Sequence, residues 1–239
     1  MSELSLDGMS VAYDVIHCAR KTLGVAVSPS GKVVIRAPYN TTRAHIADFA
    51  ERLKPWVFKQ LARYRQTCPL CGLVTGENIP YLGKKYKLRV TADGAGLSPI
   101  LGGGCLRVWV ERDLNEEVQR EAVRQSLSGW YEVQAQQILP ARLDMLALRL
   151  GMHPAAVKVK RQVRRWGSCT ARGVINLNWQ LVMAPLDVID YVLIHELCHL
   201  RVYSHQREFW GCVVQYMPDY KKQRKWLRVN SNALNFLSR

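Results

Sequence analysis

The segment His195-Glu-Leu-Cys-His199, with His205 six residues further on, narrows the possible folds of this chain more than any other feature. On an α-helix, positions i and i+4 stand about 40° apart around the axis, so His195 and His199 project from one face. Two imidazoles on one face can bind a single Zn²⁺, and a third protein ligand leaves one position open for water. Glu196 lies about 100° round from His195. It can reach that water without being a ligand and can receive its proton. The run from Pro185 to Leu200 suits such a site: Pro185 fits a first helical turn, and Val188, Val192, Leu193, Ile194, Leu197 and Leu200 make the helix apolar. One glutamate and two histidines in a buried helix are costly without partners or a metal, which weighs against reading them as ordinary helix residues. Zinc-dependent hydrolysis is the chemistry predicted.

The third ligand needs a separate argument. His199 and His205 have the spacing of the pattern H-E-x-x-H-x-x-G-x-x-H, but Val202 stands where that pattern has its glycine. A β-branched residue resists φ > 0, so the chain must return to the metal by another turn. Met217 lies downstream like a Met-turn, but it precedes Pro218 near a helix end and reads as core. Glu208 is the rival ligand. His205 is favoured on ligand chemistry and proximity, with Ser204 capping a helix that runs from His205 towards Gln215.

Composition sets the class. At 239 residues and 48% hydrophobic, the chain can fill one large core or two small ones. Seven cysteines are too scattered, and odd in number, for a disulfide framework. The start Met1-Ser-Glu-Leu-Ser-Leu-Asp-Gly8 has neither a basic leader nor an apolar core of the export type, and no uncharged run reaches the roughly 20 residues that span a bilayer. A cytoplasmic protein with no membrane partner is expected. The net charge of +15 attracts polyanions, so nucleic acid is a candidate partner through a basic surface, with Lys158 to Arg165 and Lys221 to Arg228 as the basic clusters. A solvated basic surface accounts for the same charge.

Turn signals and alternation over residues 11–37 predict a small antiparallel sheet, followed by a helical stretch to about Gln66 with Ile46, Phe49, Leu53, Val57 and Leu61 on one stripe. Pro55 should break or kink it. Tyr81 to Ala92 and Leu106 to Val110 read as two strands joined by a flexible loop containing Gly94, Gly96, Gly102, Gly103 and Gly104. Cys68 and Cys71 form half a zinc knuckle without a second pair, so a second zinc is not the favoured reading. A long helix over 113–150 has Asp113 or Asn115 as cap, is interrupted by Pro140 and is stopped by Gly151. Strands Val157 to Arg165 and Val174 to Leu177 flank Trp166-Gly-Ser-Cys169. The expected division is a β-rich half with one helical segment, 1–112, and a zinc hydrolase half, 113–239. No internal repeat is evident.

Arg165-Trp-Gly-Ser-Cys169, Ile175-Asn-Leu-Asn178, Tyr191 to His199, His205 and Phe209-Trp210, together with Ala37-Pro38, Trp56 and Tyr81-Leu-Gly83, resemble the YgjP-like metal-dependent hydrolases, relatives of the WLM and SprT-like zinc metallopeptidases. The resemblance covers nearly the whole chain. It implies an α+β fold with a zincin-like catalytic minidomain, Zn²⁺ on His195, His199 and His205, and Glu196 as base. Some family members are described as UTP pyrophosphatases, so it leaves the substrate open between polypeptide and nucleotide.

Peptide-bond hydrolysis ranks first on site chemistry. The strand Val174 to Leu177 is the candidate edge for pairing with an extended substrate, Asn176 or Asn178 a candidate donor to its carbonyl, and Trp166 a candidate wall. UTP hydrolysis would instead use Arg161, Arg164 and Arg165 as a phosphate clamp, but it lacks a carboxylate cluster for Mg²⁺. A protease acting at nucleic acid, as in the SprT-like relatives, would combine the site with the charge. A purely nucleic-acid-binding module leaves Glu196 without a role.

Overall fold

Alternating apolar residues at the N-terminus produce strands β1 (Ser2–Leu6), β2 (Met9–Cys18), β3 (Gly24–Val27) and β4 (Val33–Pro38), in the order β1-β2-β4-β3. These and all later elements come from a computed structural model that describes residues 2–6, 9–27, 31–67, 72–93, 96–162 and 165–238. The chain divides into two compact units, 1–71 and 72–238.

The first sheet is mixed where an antiparallel one was expected. Its central pair, β2 and β4, runs parallel, and the outer pairs are antiparallel. Burial explains the order: Val33, Ile35 and Ala37 of β4 are almost wholly buried and take a central position, while β3 is half-buried and takes the edge. Helix α1 (Arg43–Thr67) covers this sheet, packing Ile46, Ala50, Val57, Phe58 and Leu61 against Leu4, Tyr13, Val33, Ile35 and Ala37. Pro55 lies inside α1 without ending it. The buried stripe continues on both sides of the proline, and that packing outweighs one lost main-chain hydrogen bond. Cys68 and Cys71 lie outside the described residues.

The second unit opens with β5 (Asn78–Tyr81), β6 (Lys84–Thr91), β7 (Ile100–Gly102) and β8 (Cys105–Trp109), in the order β5-β6-β8-β7. Here too the expected hairpin gives way: β6 and β8 run parallel, with β7 antiparallel on the far side. Gly103 and Gly104, at φ 57° and 73°, make the two-residue turn between β7 and β8. Gly94 lies outside the described residues.

Helix α2 (Glu116–Leu150) is capped by the Asn115 side chain, which accepts from the Val118 amide, and is closed by Gly151 in the left-handed conformation. It too runs through its proline, Pro140, because an i, i+4 row of buried residues (Val123, Leu127, Tyr131, Ala135, Leu139, Leu143) holds both parts. The Tyr131 hydroxyl donates to the Pro80 carbonyl, and the Tyr81 hydroxyl to Gln134 Oε1 at 2.8 Å. These bonds tie the second sheet to α2. Residues 72–112 therefore belong with the helical part of the chain, and the boundary between compact units is at 71/72 instead of near 112.

A three-stranded sheet comes next: β9 (Ala156–Lys160), β10 (Gly167–Cys169) and β11 (Val174–Asn178), in the order β10-β11-β9. This corrects the expected edge. The strand around Val174 to Leu177 lies in the middle, parallel to β9 and antiparallel to β10, and β10 is the edge on the Trp166-Gly-Ser-Cys side. With Ile175 and Leu177 fully buried, β11 belongs inside. A 3-10 turn, Trp179–Met183, leads into α3 (Leu186–Cys198), α4 (Arg207–Tyr216) and α5 (Tyr220–Leu234). Among the described residues no helix is long and apolar enough to cross a membrane.

Candidate metal centre and adjoining cleft

Helix α3 carries His195 and Glu196, and His199 caps its C-terminus with helical backbone angles (φ −66°, ψ −17°). Its inner faces are filled by Val188, Ile189, Val192, Leu193, Ile194 and Leu197, so packing alone fixes it within the unit. Polar ties add direction. Arg142 on α2 grips both oxygens of Asp190, and Gln223 on α5 donates to Asp187. At the helix entrance, the β5–β6 turn holds Leu82 and Gly83 at φ 48° and 77°. The Leu82 amide donates to the Val182 carbonyl at 2.9 Å, and a Cβ on Gly83 would lie 2.8 Å from Pro185 Cα.

Past Cys198 the chain turns without a left-handed residue at Val202, as its β-branching requires. The amides of Arg201 and Val202 both bond the Cys198 carbonyl, tightening the last turn. The Val202 carbonyl then lies 3.0 Å from His199 Nδ1. His205 is in the loop before α4, not in the helix's first turn; Gln206 is the cap residue, and Ser204 makes no cap. The indole N–H of Trp210 holds the His205 carbonyl at 3.1 Å.

The three imidazoles meet at Nε2. His205 Nε2 lies 3.1 Å from His199 Nε2 and 3.0 Å from His195 Nε2. Phe209 fits beneath all three rings, with centroid separations of 4.8, 4.3 and 4.8 Å to His195, His199 and His205. Because the Val202 carbonyl takes the Nδ1 proton of His199, its Nε2 presents a lone pair to the cluster. One shared proton could satisfy one of these contacts but not both. A cation satisfies all three nitrogens, and three nitrogens bound at 2.0–2.1 Å around a tetrahedral ion stand about 3.3 Å apart. The residues present therefore fit a metal ion. Glu208 is exposed and outside the group that could hold one.

Electrostatics agree. Burial, then the neighbouring His199, His205 and Arg224, push His195 down to about 3, and burial also lowers His199 despite its bond to Val202. His195 and His199 are thereby kept in the neutral form that a metal ligand needs. Glu196 is 4% exposed, and burial pushes its carboxyl up to about 8, with Arg165 pulling the other way. Its Oε2 and His195 Nδ1 are buried with no hydrogen-bond partner among the described residues.

The space for Glu196 is provided by Gly167. A Cβ at that position would sit 2.6 Å from Glu196 Oε1, so any side chain there displaces the carboxylate. Gly167 belongs to the edge strand β10. The Asn178 amide bonds the Trp166 carbonyl and the Thr170 amide bonds the Val174 carbonyl. In an antiparallel ladder the alternate residues face away, so the main-chain groups of Gly167 and Cys169 point to the free edge beside Glu196.

A cleft of about 330 Å³ adjoins His195 and Glu196, lined on one side by Trp166 and Gly167 and on the other by Arg224, Leu227 and Arg228 of α5. Tyr191, whose phenol burial pushes up to about 12, also lines it. Of the candidate substrate residues, Trp166 is in this wall, half-buried. Asn176 and Asn178 are not: Asn176 donates to Ser168 Oγ, while Asn178 donates to the carbonyls of Gln162 and Arg165 and accepts from the Gln180 amide. Asn178 holds the segment before β10 in place, and Asn176 ties β11 to β10 itself. The three arginines are not assembled together. Arg165 is exposed near Glu196, Arg161 lines a separate cavity with Arg124 and Glu132, and Arg164 lies outside the described residues. In the sequence Gly167 stood out only within the motif Trp166-Gly-Ser-Cys169, without a role towards Glu196, and Arg224 and Arg228 only within a basic run. The basic run at 221–228 and the glycine before Ser168 were the available signals, but neither says which way it faces.

Comparison with curated proteins and with solved structures gives no match. The sequence profile of the YgjP-like metallopeptidase domain matches residues 21–230, a span that takes in the three histidines and Glu196, and the chain therefore belongs to the YgjP-like family.

Proposed function

We propose that this metal-dependent hydrolase is a zinc metallopeptidase, with His195, His199 and His205 holding Zn²⁺ and Glu196 as the catalytic base. The observation that carries the reading is three converging Nε2 atoms beside a buried carboxylate, with the free main chain of β10 next to it. The donor set is all imidazole, which suits zinc. When bound, the ion would supply the positive charge that acidifies water, polarises a carbonyl and draws the Glu196 carboxyl, raised to about 8 by burial, back to the ionised form a base requires. Glu196 then takes the proton of the attacking water as oxygen bonds to the scissile carbon. It returns that proton to the amine nitrogen as the C–N bond breaks. Gly167 and Cys169 offer main-chain donors and acceptors that align an extended peptide, as an added strand would be aligned. Burial of Glu196 keeps bulk water from competing for the carboxylate.

Cleavage of a nucleoside triphosphate such as UTP, the competing reading, needs arginines gathered on phosphates. The clamp read from the sequence is not assembled, since Arg161 lines a separate cavity and only Arg165 approaches Glu196, and among the described residues no carboxylate cluster for Mg²⁺ lies in the cleft. The decisive variant is Glu196→Gln. It should bind zinc stoichiometrically and lose peptide hydrolysis by about 10²–10⁴-fold, the usual worth of a positioned base. A zinc-loaded Glu196→Gln protein with full activity would end this reading.

A further inference from the structure

We propose that Arg224 and Arg228 form a carboxylate-binding subsite in the cleft beside Glu196, so that the preferred substrates are peptides with an acidic group close to the scissile bond. The proposal rests on the peptidase reading for its substrate class and deepens it.

The α5 side of the cleft is formed by Arg224, Leu227, Arg228 and Ser231, the i, i+3, i+4, i+7 stripe of one helix face. Both arginines are thus turned to the space that Glu196 and His195 border. Arg224 is held there. Its guanidinium lies 4.7 Å from the Trp210 ring centroid, Trp210 stacks on Tyr220 at 5.1 Å, and the Trp210 indole bonds the His205 carbonyl. One aromatic pillar therefore fixes both the third histidine's loop and a cation in the cleft.

Among the described residues neither arginine of this pair has an ion-pair partner, and α5 contains no acidic residue. Like charges at i and i+4 destabilise a helix, so the spacing works against α5 itself. The cleft contains one carboxylate, Glu196, which is buried against Gly167 and belongs to the reaction. Two guanidiniums facing an open cleft make a fork that matches a planar carboxylate. At about 330 Å³ the cleft is at the small end of ligand pockets, which run roughly 300–1,000 Å³. That favours an amino-acid residue over a nucleoside triphosphate. The carboxylate can come from a free C-terminus or from an Asp or Glu side chain.

The test uses zinc-loaded full-length protein and quenched fluorescent peptides of one parent sequence. One pair differs as C-terminal acid against amide, and the others as Glu against Gln at each position flanking the cut. In one of these series the acid should exceed its amide by about 10- to 100-fold in kcat/KM, mostly through KM, the range of a charge-assisted hydrogen bond. Which series responds identifies the source of the carboxylate. In Arg224→Gln and Arg228→Gln that ratio should collapse to within about twofold, and in the double Arg→Glu variant it should invert towards Lys. Arg224→Lys, which keeps the charge over Trp210, should retain part of it. A ratio near one in the wild type, or one unchanged in both Gln variants, overturns the proposal. Binding of the same peptides to zinc-loaded Glu196→Gln protein separates the two readings. Arg-dependent binding of the acid without cleavage by the wild type would sink the peptidase reading and leave the subsite. Arg-dependent binding of UTP, with acid and amide peptides bound alike, would sink the subsite.

Discussion

The two four-stranded sheets are built to one plan. Each has its strands in the order 1-2-4-3, a parallel central pair, antiparallel outer pairs and a long helix following the fourth strand. Their use differs. The first sheet is covered by α1 through an apolar stripe, and no residue of the metal centre comes from it. The second is latched to α2 by two tyrosine hydroxyls, and α2 at 35 residues extends ten residues further than the 25 of α1. The added reach lets α2 pack the 3-10 turn, β9 and α3, while the β5–β6 turn grips the entrance to α3. A fold that is self-contained in one place is thus a scaffold for chemistry in the other. The difference lies in polar contacts at turn tips and helix faces, not in topology.

The largest effect should come from metal removal. Chelation of the zinc-loaded protein should destabilise α3, α4 and α5 by about 4 kcal/mol when free metal had stood near a thousand times Kd. Hydrogen exchange should show protection falling there and holding in β1–β4 and α1, which supply no ligand. Equal loss in both regions would erase the contrast between a plain module and a scaffold.

Next in size is a pair of glycines with similar backbones and different neighbours. Gly31 has φ +87° with nothing near its missing Cβ, and Gly83 has φ +77° with Pro185 Cα at 2.8 Å. Gly31→Ala should cost about 1–2 kcal/mol, the left-handed penalty alone. Gly83→Ala adds a collision with main chain, for about 2–4 kcal/mol in total, and should also weaken zinc binding because Pro185 starts α3. Thermal denaturation and metal titration of the two variants check this. Equal costs with unchanged metal affinity would mean that the turn does not position the site.

The meeting of the three histidines was largely legible in the sequence, because helical periodicity alone brings His195 and His199 together and Val202 already demanded an unusual turn. The compact units meet at 71/72 where the sequence suggested a division near 112, because residues 72–112 have strand-like composition and their partner, α2, is identified by long-range contacts such as those of Tyr131 and Gln134. The edge strand was misassigned for a similar reason. Three residues, Gly167–Cys169, are too short to show alternation, so β11 looked like the outer strand. The repeated 1-2-4-3 plan left no sequence trace, since pairing order is set by long-range burial. Arg224 and Arg228 appeared only as charge, because composition does not say which face of a helix meets a cleft.

The smallest effect isolates the polar latch. Tyr131 is fully buried, and its hydroxyl donates to the Pro80 carbonyl at the sheet side of α2, with its ring against Tyr81, Trp130 and Trp179. Tyr131→Phe keeps the ring contacts and removes one donor. The Pro80 carbonyl is left without its partner, at a cost of about 1–2 kcal/mol. Zinc affinity should not change, because Tyr131 is not in the metal group and the Leu82–Val182 bond survives. Denaturant unfolding with metal titration of the same sample measures both. If stability is unaffected, the hydroxyl does not set the register of sheet on helix, and the second sheet is held as the first is, by apolar packing alone. If zinc affinity falls with stability, the latch belongs to the site, and the second sheet is even further from a plain module than the comparison assumes.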